Sequence, residues 1–182
     1  MVIDALNLPT NPVFTEKPIT CKSTELTSEV TISVTGGKGI LKYEITAPLA
    51  AITNVSGATT GIFTGLTAGA SGTTYAFKVT DENNCSVTGT YTVKDVLPVI
   101  VNGSLVANVT CKTAADGKLK FTVSGNAGTF TYELRNSLNV VVPIAQSTQT
   151  GNVIDYIGLA ADTYTLTVTN PSTDCKATKV LK

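Results

Sequence analysis

Apolar and polar residues alternate with a period of two in many short segments of this chain. The clearest are residues 75–80, where Tyr, Phe and Val alternate with Ala, Lys and Thr, and residues 164–169, where Tyr, Leu and Val alternate with Thr. A period of two places alternate side chains on opposite faces of a half-buried β-strand. No window of 11 or more residues keeps a capped helical stripe. The pattern therefore predicts an all-β fold.

The segment 65–85, GLTAGASGTTYAFKVTDENNC, returns in shortened form at 158–175, GLAADTYTLTVTNPSTDC. Its flanking segments match as well, which predicts two tandem domains of one kind, residues 1–95 and 96–182. Residues 2–6, VIDAL, resemble residues 93–97, VKDVL, which lead out of the first repeat. We therefore expect the first domain to carry an N-terminal lead-in from a preceding repeat. The apolar stretch 95–109 predicts a short linker and a first strand of the second domain within Val99 to Val109.

Each repeat is predicted to hold six or seven short strands, the pattern of a β-sandwich. The Pro-interrupted lead-in, Pro12 to Ile19, is expected to be an edge strand or a linker. The remaining strands are predicted at 30–34, 41–45, near Ala51 to Val55, near Gly61 to Thr64, at 75–80 and at Ser86 to Lys94. Their counterparts are 119–123, 130–134, near Val140 to Ala145, near Asn152 to Tyr156, at 164–169 and at Lys176 to Leu181.

The Gly-Leu, turn and Tyr that open the repeated segment are typical of the tyrosine corner of immunoglobulin-like and fibronectin III-like sandwiches. The sequence thus predicts structural roles for Leu66 and Tyr75 in the first domain, and for Leu159 and Tyr164 in the second. Composition agrees with this, with 32 Thr and 15 Gly but one Met and no Trp. Threonine favours strands, and glycine serves the turns between them.

Four cysteines lie at positions 21, 85, 111 and 175, with a spacing of 64 residues inside each repeat. Four cysteines allow three pairings. The repeat favours Cys21 with Cys85 and Cys111 with Cys175, because each domain would then close on itself. Such disulfides imply an oxidising compartment. The alternative is two buried free thiols in each domain.

The chain is poor in groups that carry chemistry. It has no His, so neither a Ser-His-Asp set nor a His-activated thiol exists, and two thiols per domain do not make a structural zinc site. The acidic run at 81–84, DENN, suggests a calcium loop, but its counterpart at 170–174 keeps one acid, which favours a polar turn. Asp4 and Asp95 occupy equivalent inter-repeat positions, which leaves linker calcium undecided. We predict no enzyme activity, no catalytic residues, no cofactor and no metal.

Charge and aromatic content limit the classes of partner that the chain is expected to bind. Thirteen basic residues balance 13 acidic ones without a basic stripe, so nucleic acid is not an expected partner. No apolar run is long enough for membrane insertion. The repeat alignment places all but two of the aromatic residues at matched apolar positions, which predicts core roles rather than sugar-stacking platforms. The two exceptions are Phe14 and Tyr91.

Two motifs resemble the SprB-type repeats of large surface adhesins in gliding Bacteroidetes. The first is a Cys followed by a strand, a Gly-Gly-x-Gly turn and a Tyr; the second is Gly-Leu-x-Ala-Gly, then Tyr-x-x-x-Val-Thr-Asp-x-x-x-Cys. The first repeat carries them at Cys21, Gly36 to Gly39, Tyr43, Gly65 to Gly69, Tyr75, Val79 to Asp81 and Cys85. The second keeps Cys111, Gly125, Gly128, Tyr132, Gly158, Leu159, Tyr164, Val168, Thr169 and Cys175, but departs at Asn126, Asp162 and Asn170.

The resemblance implies a long tandem array, exported by type IX secretion to the cell surface, without catalytic residues. The predicted function is a structural and adhesive segment of such an adhesin, a disulfide-stapled stalk or filament. Its partners would be neighbouring repeats of the same chain and a surface polysaccharide or other cell-surface ligand. The rival prediction is a glycan-binding module of a secreted multidomain protein, carried by residues 46–64 and 135–151, where the copies differ.

Overall fold

The computed structural model describes residues 7–111, 113–125 and 129–182. It divides into two units, Met1–Val96 and Leu97–Lys182, whereas the boundary predicted from the sequence follows residue 95. Each unit is built from two antiparallel sheets. The prediction of an all-β chain with immunoglobulin-like sandwich domains is confirmed.

The first domain has two three-stranded sheets, ordered β1-β2-β4 and β3-β5-β6. Its strands are β1 (Thr10–Lys17), β2 (Ser28–Thr35), β3 (Lys42–Ala47), β4 (Ile62–Leu66), β5 (Thr73–Thr80) and β6 (Ser86–Val93). The lead-in is an edge strand, because β1 pairs with β2 on one side only. The core lies between the sheets and is formed by the inward-facing residues of the alternating strands, among them Val30, Phe63, Phe77, Val79 and Val93.

The second domain has a four-stranded sheet, ordered β10-β11-β8-β7, and a three-stranded sheet, ordered β13-β12-β9. Its strands are β7 (Ile100–Ala107), β8 (Ala115–Ser124), β9 (Thr131–Arg135), β10 (Ser147–Thr150), β11 (Val153–Ala160), β12 (Tyr164–Thr169) and β13 (Lys176–Leu181). Leu119, Phe121, Leu134, Ile154 and Leu166 are buried between these sheets. The burial of β8 and β12 alternates residue by residue, as the pattern predicts.

Two predicted strands are absent. Residues 51–55 begin in the 3₁₀ turn Leu49–Ala51, and the Asn54 side chain holds them to β4 by donating to the Thr64 carbonyl at 2.8 Å. Residues 140–145 contribute one isolated bridge, Arg135 to Val141, and then enter the 3₁₀ turn Ile144–Gln146. Pro48 and Pro143 immediately precede these turns, and proline has no N–H to donate to a strand ladder.

Candidate functional site

Each domain has an incoming end and an outgoing end, defined by its own strands. In the first domain the chain enters β1 at Thr10, opposite Thr35, and leaves β6 at Val93, opposite Thr73. In the second domain it enters β7 at Ile100, opposite Ser124, and β13 ends at Leu181, opposite Tyr164. The features that the two copies share, namely the tyrosine corners, the Gly-Leu bulges, the closing turns and the cysteines, each lie at one of these two ends.

The tyrosine corners lie at the outgoing ends. Buried Tyr75 donates its O–H to the Thr67 carbonyl at 2.7 Å and accepts the Thr67 N–H at 3.0 Å. Tyr164 donates to the Ala160 carbonyl at 3.0 Å. Burial and the nearby Asp162 charge raise the pKa of Tyr164, so its hydroxyl stays protonated and able to donate. Both tyrosines serve the fold.

The backbone conformation explains why each Gly-Leu pair begins with glycine. Gly65 and Gly158 both have φ of +72°, a conformation that residues with a Cβ rarely adopt. The strand pairing slips next to each of them, between Ser28 and Val30 in one domain and between Ile157 and Leu159 in the other. Such a bulge re-aims the following side chain, and Leu66 and Leu159 are accordingly 1% and 3% exposed. The repeated Gly-Leu is therefore a bulge that points a leucine into the core.

The acidic turn at the incoming end of the first domain is closed by its own backbone. Asp81 Oδ1 accepts the N–H groups of Asn83 and Cys85 at 2.9 and 2.8 Å, and Oδ2 accepts the Lys38 N–H at 3.1 Å. Glu82 accepts the Ile40 N–H at 3.0 Å. These oxygens are engaged within the protein, which confirms a polar turn.

No metal site supplements these turns in the described part of the chain. There, no three His, Cys, Asp or Glu residues are grouped so that they could hold a metal ion. Asp4, one of the two acids that left linker calcium undecided, lies outside the described residues.

The predicted cysteine pairing is wrong. Cys85 and Cys111 carry free thiols, whereas Cys21 and Cys175 are disulfide-bonded. Cys21 follows β1 at the outgoing end of its domain, and Cys85 precedes β6 at the incoming end. The eight residues of β2 span about 23 Å between these ends. A disulfide requires Cα atoms about 4.4–6.8 Å apart, so the two cysteines cannot be joined.

The second domain repeats this arrangement. Cys111 follows β7 at the outgoing end, whereas Cys175 precedes β13 at the incoming end. The ten residues of β8 separate the two ends by about 30 Å. The fold thus places one cysteine of each repeat at each end, and closure of a domain on itself is excluded on geometric grounds.

The free thiols differ in their surroundings. Cys111 is exposed, and the Thr113 hydroxyl lies 3.8 Å from its Sγ. This hydrogen bond, assisted by the backbone N–H groups of Thr113 and Ala114, lowers the pKa of the Cys111 thiol. Cys85 is half-buried behind the Asp81 turn. Cys111 is therefore the readier nucleophile, because the thiolate is the reactive form.

The two unmatched aromatics do not form an exposed platform. The Phe14 ring packs on Phe77 and Tyr91, with centroid separations of 5.6 and 5.7 Å. The Tyr91 hydroxyl donates to Glu16 Oε2 at 2.9 Å, and burial together with this carboxylate raises the pKa of Tyr91. Phe14 and Tyr91 therefore pack against the side of the first domain's core. The sequence did not reveal this, because the second repeat has no aromatic at either position.

Two concavities lie at the outgoing end of the second domain. One has a volume of about 130 Å³ and is lined mainly by apolar groups, including Leu105, Leu119 and Tyr164. The other, of about 260 Å³, includes Asn136, Val140 to Pro143 and Gln146. The Gln146 amide already donates to the Gly158 carbonyl at 2.8 Å.

Neither family models nor curated proteins match this chain. Solved structures with similar chain paths include the eight N-terminal immunoglobulin domains of Down syndrome cell adhesion molecule (13% identity, TM-score 0.49), which align over 97% of this chain and 24% of that one. Murine CEACAM1b aligns at 12% identity and TM-score 0.41, over 86% of this chain and 90% of that one. Mouse nectin-like molecule 4 aligns at 14% and 0.39, over 96% and 64%. The chain thus spans about a quarter of the first structure and under two thirds of the third.

Among the described residues, no helix has the length and apolar character needed to cross a bilayer.

Proposed function

We propose that this chain is a structural and adhesive segment of a bacterial cell-surface adhesin, in which sandwich domains of this kind follow one another in a tandem array. The observation that carries the proposal is the repetition itself. Two domains share the bulge, the tyrosine corner, the closing turn and the cysteine positions. These features support the domains rather than a reaction.

The hydrogen bonds that polar side chains make within the protein also favour a structural role. Asp81 and Glu82 accept hydrogen bonds from the protein backbone, and Gln146 donates one to it. The described residues contain no buried side-chain nitrogen or oxygen without a hydrogen-bond partner. A catalytic site normally holds groups poised for a substrate. A non-enzymatic role accounts for the arrangement without such a site.

The extracellular setting is part of the proposal. Cys21 and Cys175 are each disulfide-bonded, and disulfides persist in an oxidising compartment. The resemblance to SprB-type repeats adds type IX secretion and a role in gliding motility. The proposed partners are neighbouring repeats of the same chain and a polysaccharide or other ligand on a surface.

Antibodies raised against the purified chain test the location. They should label intact, unpermeabilised cells of the organism that makes the protein, and brief protease treatment of those cells should remove the label. Antibodies against a cytoplasmic protein, used in parallel, should label only permeabilised cells. Labelling that required permeabilisation would overturn the surface assignment.

A glycan-binding module is the second candidate, favoured by the concavity of about 260 Å³ that the divergent stretch 135–151 lines together with residues such as Gly158 and Tyr164. A glycan array probed with the chain tests it. Binding that is lost on Gln146→Ala, but kept on Asn54→Ala in the divergent stretch of the first domain, would establish this candidate. An array without specific binding would leave the structural role as the account of this segment.

A further inference from the structure

The four cysteines are of two kinds, defined by their place in the domain. Cys21 and Cys111 each follow the first strand of their domain and lie at its outgoing end. Cys85 and Cys175 each precede the last strand and lie at the incoming end. We name them outgoing and incoming cysteines.

The incoming cysteines are equivalent in local structure as well as in position. The Asp81 N–H donates to the Cys85 carbonyl at 2.9 Å, and the Asn170 N–H donates to the Cys175 carbonyl at 2.9 Å. The residue before each cysteine has positive φ, 62° at Asn84 and 55° at Asp174. The same turn thus presents both cysteines.

The two outgoing cysteines differ in bonding state, and so do the two incoming cysteines. Of the outgoing cysteines, Cys21 is disulfide-bonded and Cys111 is free; of the incoming cysteines, Cys175 is disulfide-bonded and Cys85 is free. Each free thiol occupies a position whose equivalent in the other domain is bonded.

We propose that Cys85 and Cys111 are the joining points of a head-to-tail array, in which the Cys111 thiol of one copy forms a disulfide with the Cys85 thiol of the next. The inference deepens the tandem-array function proposed above and rests on it. The partner is a second copy of this chain.

The position of each thiol sets the direction. Cys111 lies at the end where the second domain's last strand finishes, and Cys85 lies at the end where the first domain's first strand begins. A join between them keeps the chain direction along the array. Pairing of two Cys111 or of two Cys85 would instead reverse it.

The chemistry is a two-electron oxidation. Two thiols lose two protons and two electrons as the S–S bond forms, and oxidised glutathione accepts them and is reduced to two glutathione molecules. Cys111 supplies the attacking thiolate, since it is exposed and hydrogen-bonded to Thr113.

Two single variants test the proposal with the chain as it stands. Cys85→Ser keeps only the outgoing thiol, and Cys111→Ser keeps only the incoming one. Each is oxidised alone and then in an equimolar mixture with glutathione and oxidised glutathione, and products are separated on non-reducing gels and identified by mass spectrometry of the cross-linked peptides. We expect the mixture to give heterodimers in roughly twentyfold excess over either homodimer, because random pairing gives a twofold excess and about 1.4 kcal/mol of preferred pairing multiplies it by about ten. The unmodified chain should give a ladder of multimers.

Several outcomes would overturn it. Random pairing would make heterodimers only as abundant as the two homodimers together. A monomer with Cys85 joined to Cys111, or thiols that stop at mixed disulfides with glutathione, would also contradict the proposal. Hydrogen exchange of each variant, compared with the parent chain, verifies that both are folded. Surface labelling of cells is a separate readout, so a failed array function and failed disulfide pairing can be distinguished.

Discussion

The two domains share one strand arrangement but differ in the polar side chains of their cores, tyrosine corners and closing turns. Position for position, Phe63 in the first core is replaced by Tyr156 in the second, and Asp81 in the closing turn is replaced by Asn170. Tyr75 makes two hydrogen bonds to the Thr67 backbone, whereas Tyr164 makes one to Ala160. The two domains therefore share their alternating apolar residues, and the polar contacts in which they differ tune the stability of each domain separately.

The largest effect should come from opening a cavity in one core. Phe77→Ala should lower the free energy of unfolding of the first domain by about 3–5 kcal/mol, and Leu166→Ala that of the second by about 2–5 kcal/mol, because both side chains are almost fully buried. Hydrogen exchange with mass spectrometry, under reducing conditions, should localise each loss to residues 7–96 or 97–182.

The exposed Val13 provides a matched control for these core changes. Val13→Ala should leave both domains within about 0.5 kcal/mol of the parent, since the side chain is 56% exposed. If Phe77→Ala lowered protection equally in both domains, the picture of separately stabilised domains would be wrong.

The second effect is specific to the second core and depends on pH. Burial raises the pKa of Tyr156 to about 12 from 10. The folded state favours the neutral phenol, so its contribution is fully present below the unfolded pKa near 10 and is lost as pH rises towards 12. Two pKa units correspond to up to about 3 kcal/mol. Urea unfolding between pH 9 and about pH 12 should show this loss in the second domain.

Tyr156→Phe supplies the control, because it introduces the residue that the first domain has at the same place. In this variant the alkaline loss of stability in the second domain should shrink to the part that Tyr164 contributes, comparable with the first domain, in which Tyr91 has a raised pKa. An unchanged alkaline transition would show that another group carries the effect.

The strand pattern was predictable because it depends on local alternation, as in β5 and β12. Strand β10, residues STQT, was missed because it contains no apolar residue and lies at a sheet edge. The cysteine pairing failed for a different reason. Equal spacing shows that cysteines are equivalent, not that they are close. Four strands, β2 to β5, separate Cys21 from Cys85, and residues 48–61 carry the chain back along the domain between β3 and β4, so the two cysteines lie at opposite ends.

The third effect comes from the tyrosine corners. Tyr75→Phe should lower the stability of the first domain by about 1–3 kcal/mol, since it leaves the Thr67 N–H and carbonyl without their partner. Tyr164→Phe removes a single bond and should cost the second domain about 0.5–1.5 kcal/mol. Paired urea titrations measure both. A larger loss at Tyr164 would reverse the order that the hydrogen bonds predict.

The smallest effect concerns the closing turns, which the two domains build with different side chains. Asp81→Asn should keep the turn, because Asn170 accepts the N–H groups of Ser172 and Thr173 through its amide oxygen at 2.8 and 3.2 Å. It should nevertheless lose the bond from the Lys38 N–H, since an amide has one acceptor oxygen where the carboxylate has two. We expect a loss of about 1 kcal/mol in the first domain, with faster exchange of the Lys38 amide. Asn170→Asp, the reverse change, should alter the second domain by less than about 0.5 kcal/mol. Equal losses in the two variants would mean that Asp81 acts only within its own turn, and that the bond to Lys38 contributes nothing to the difference between the domains.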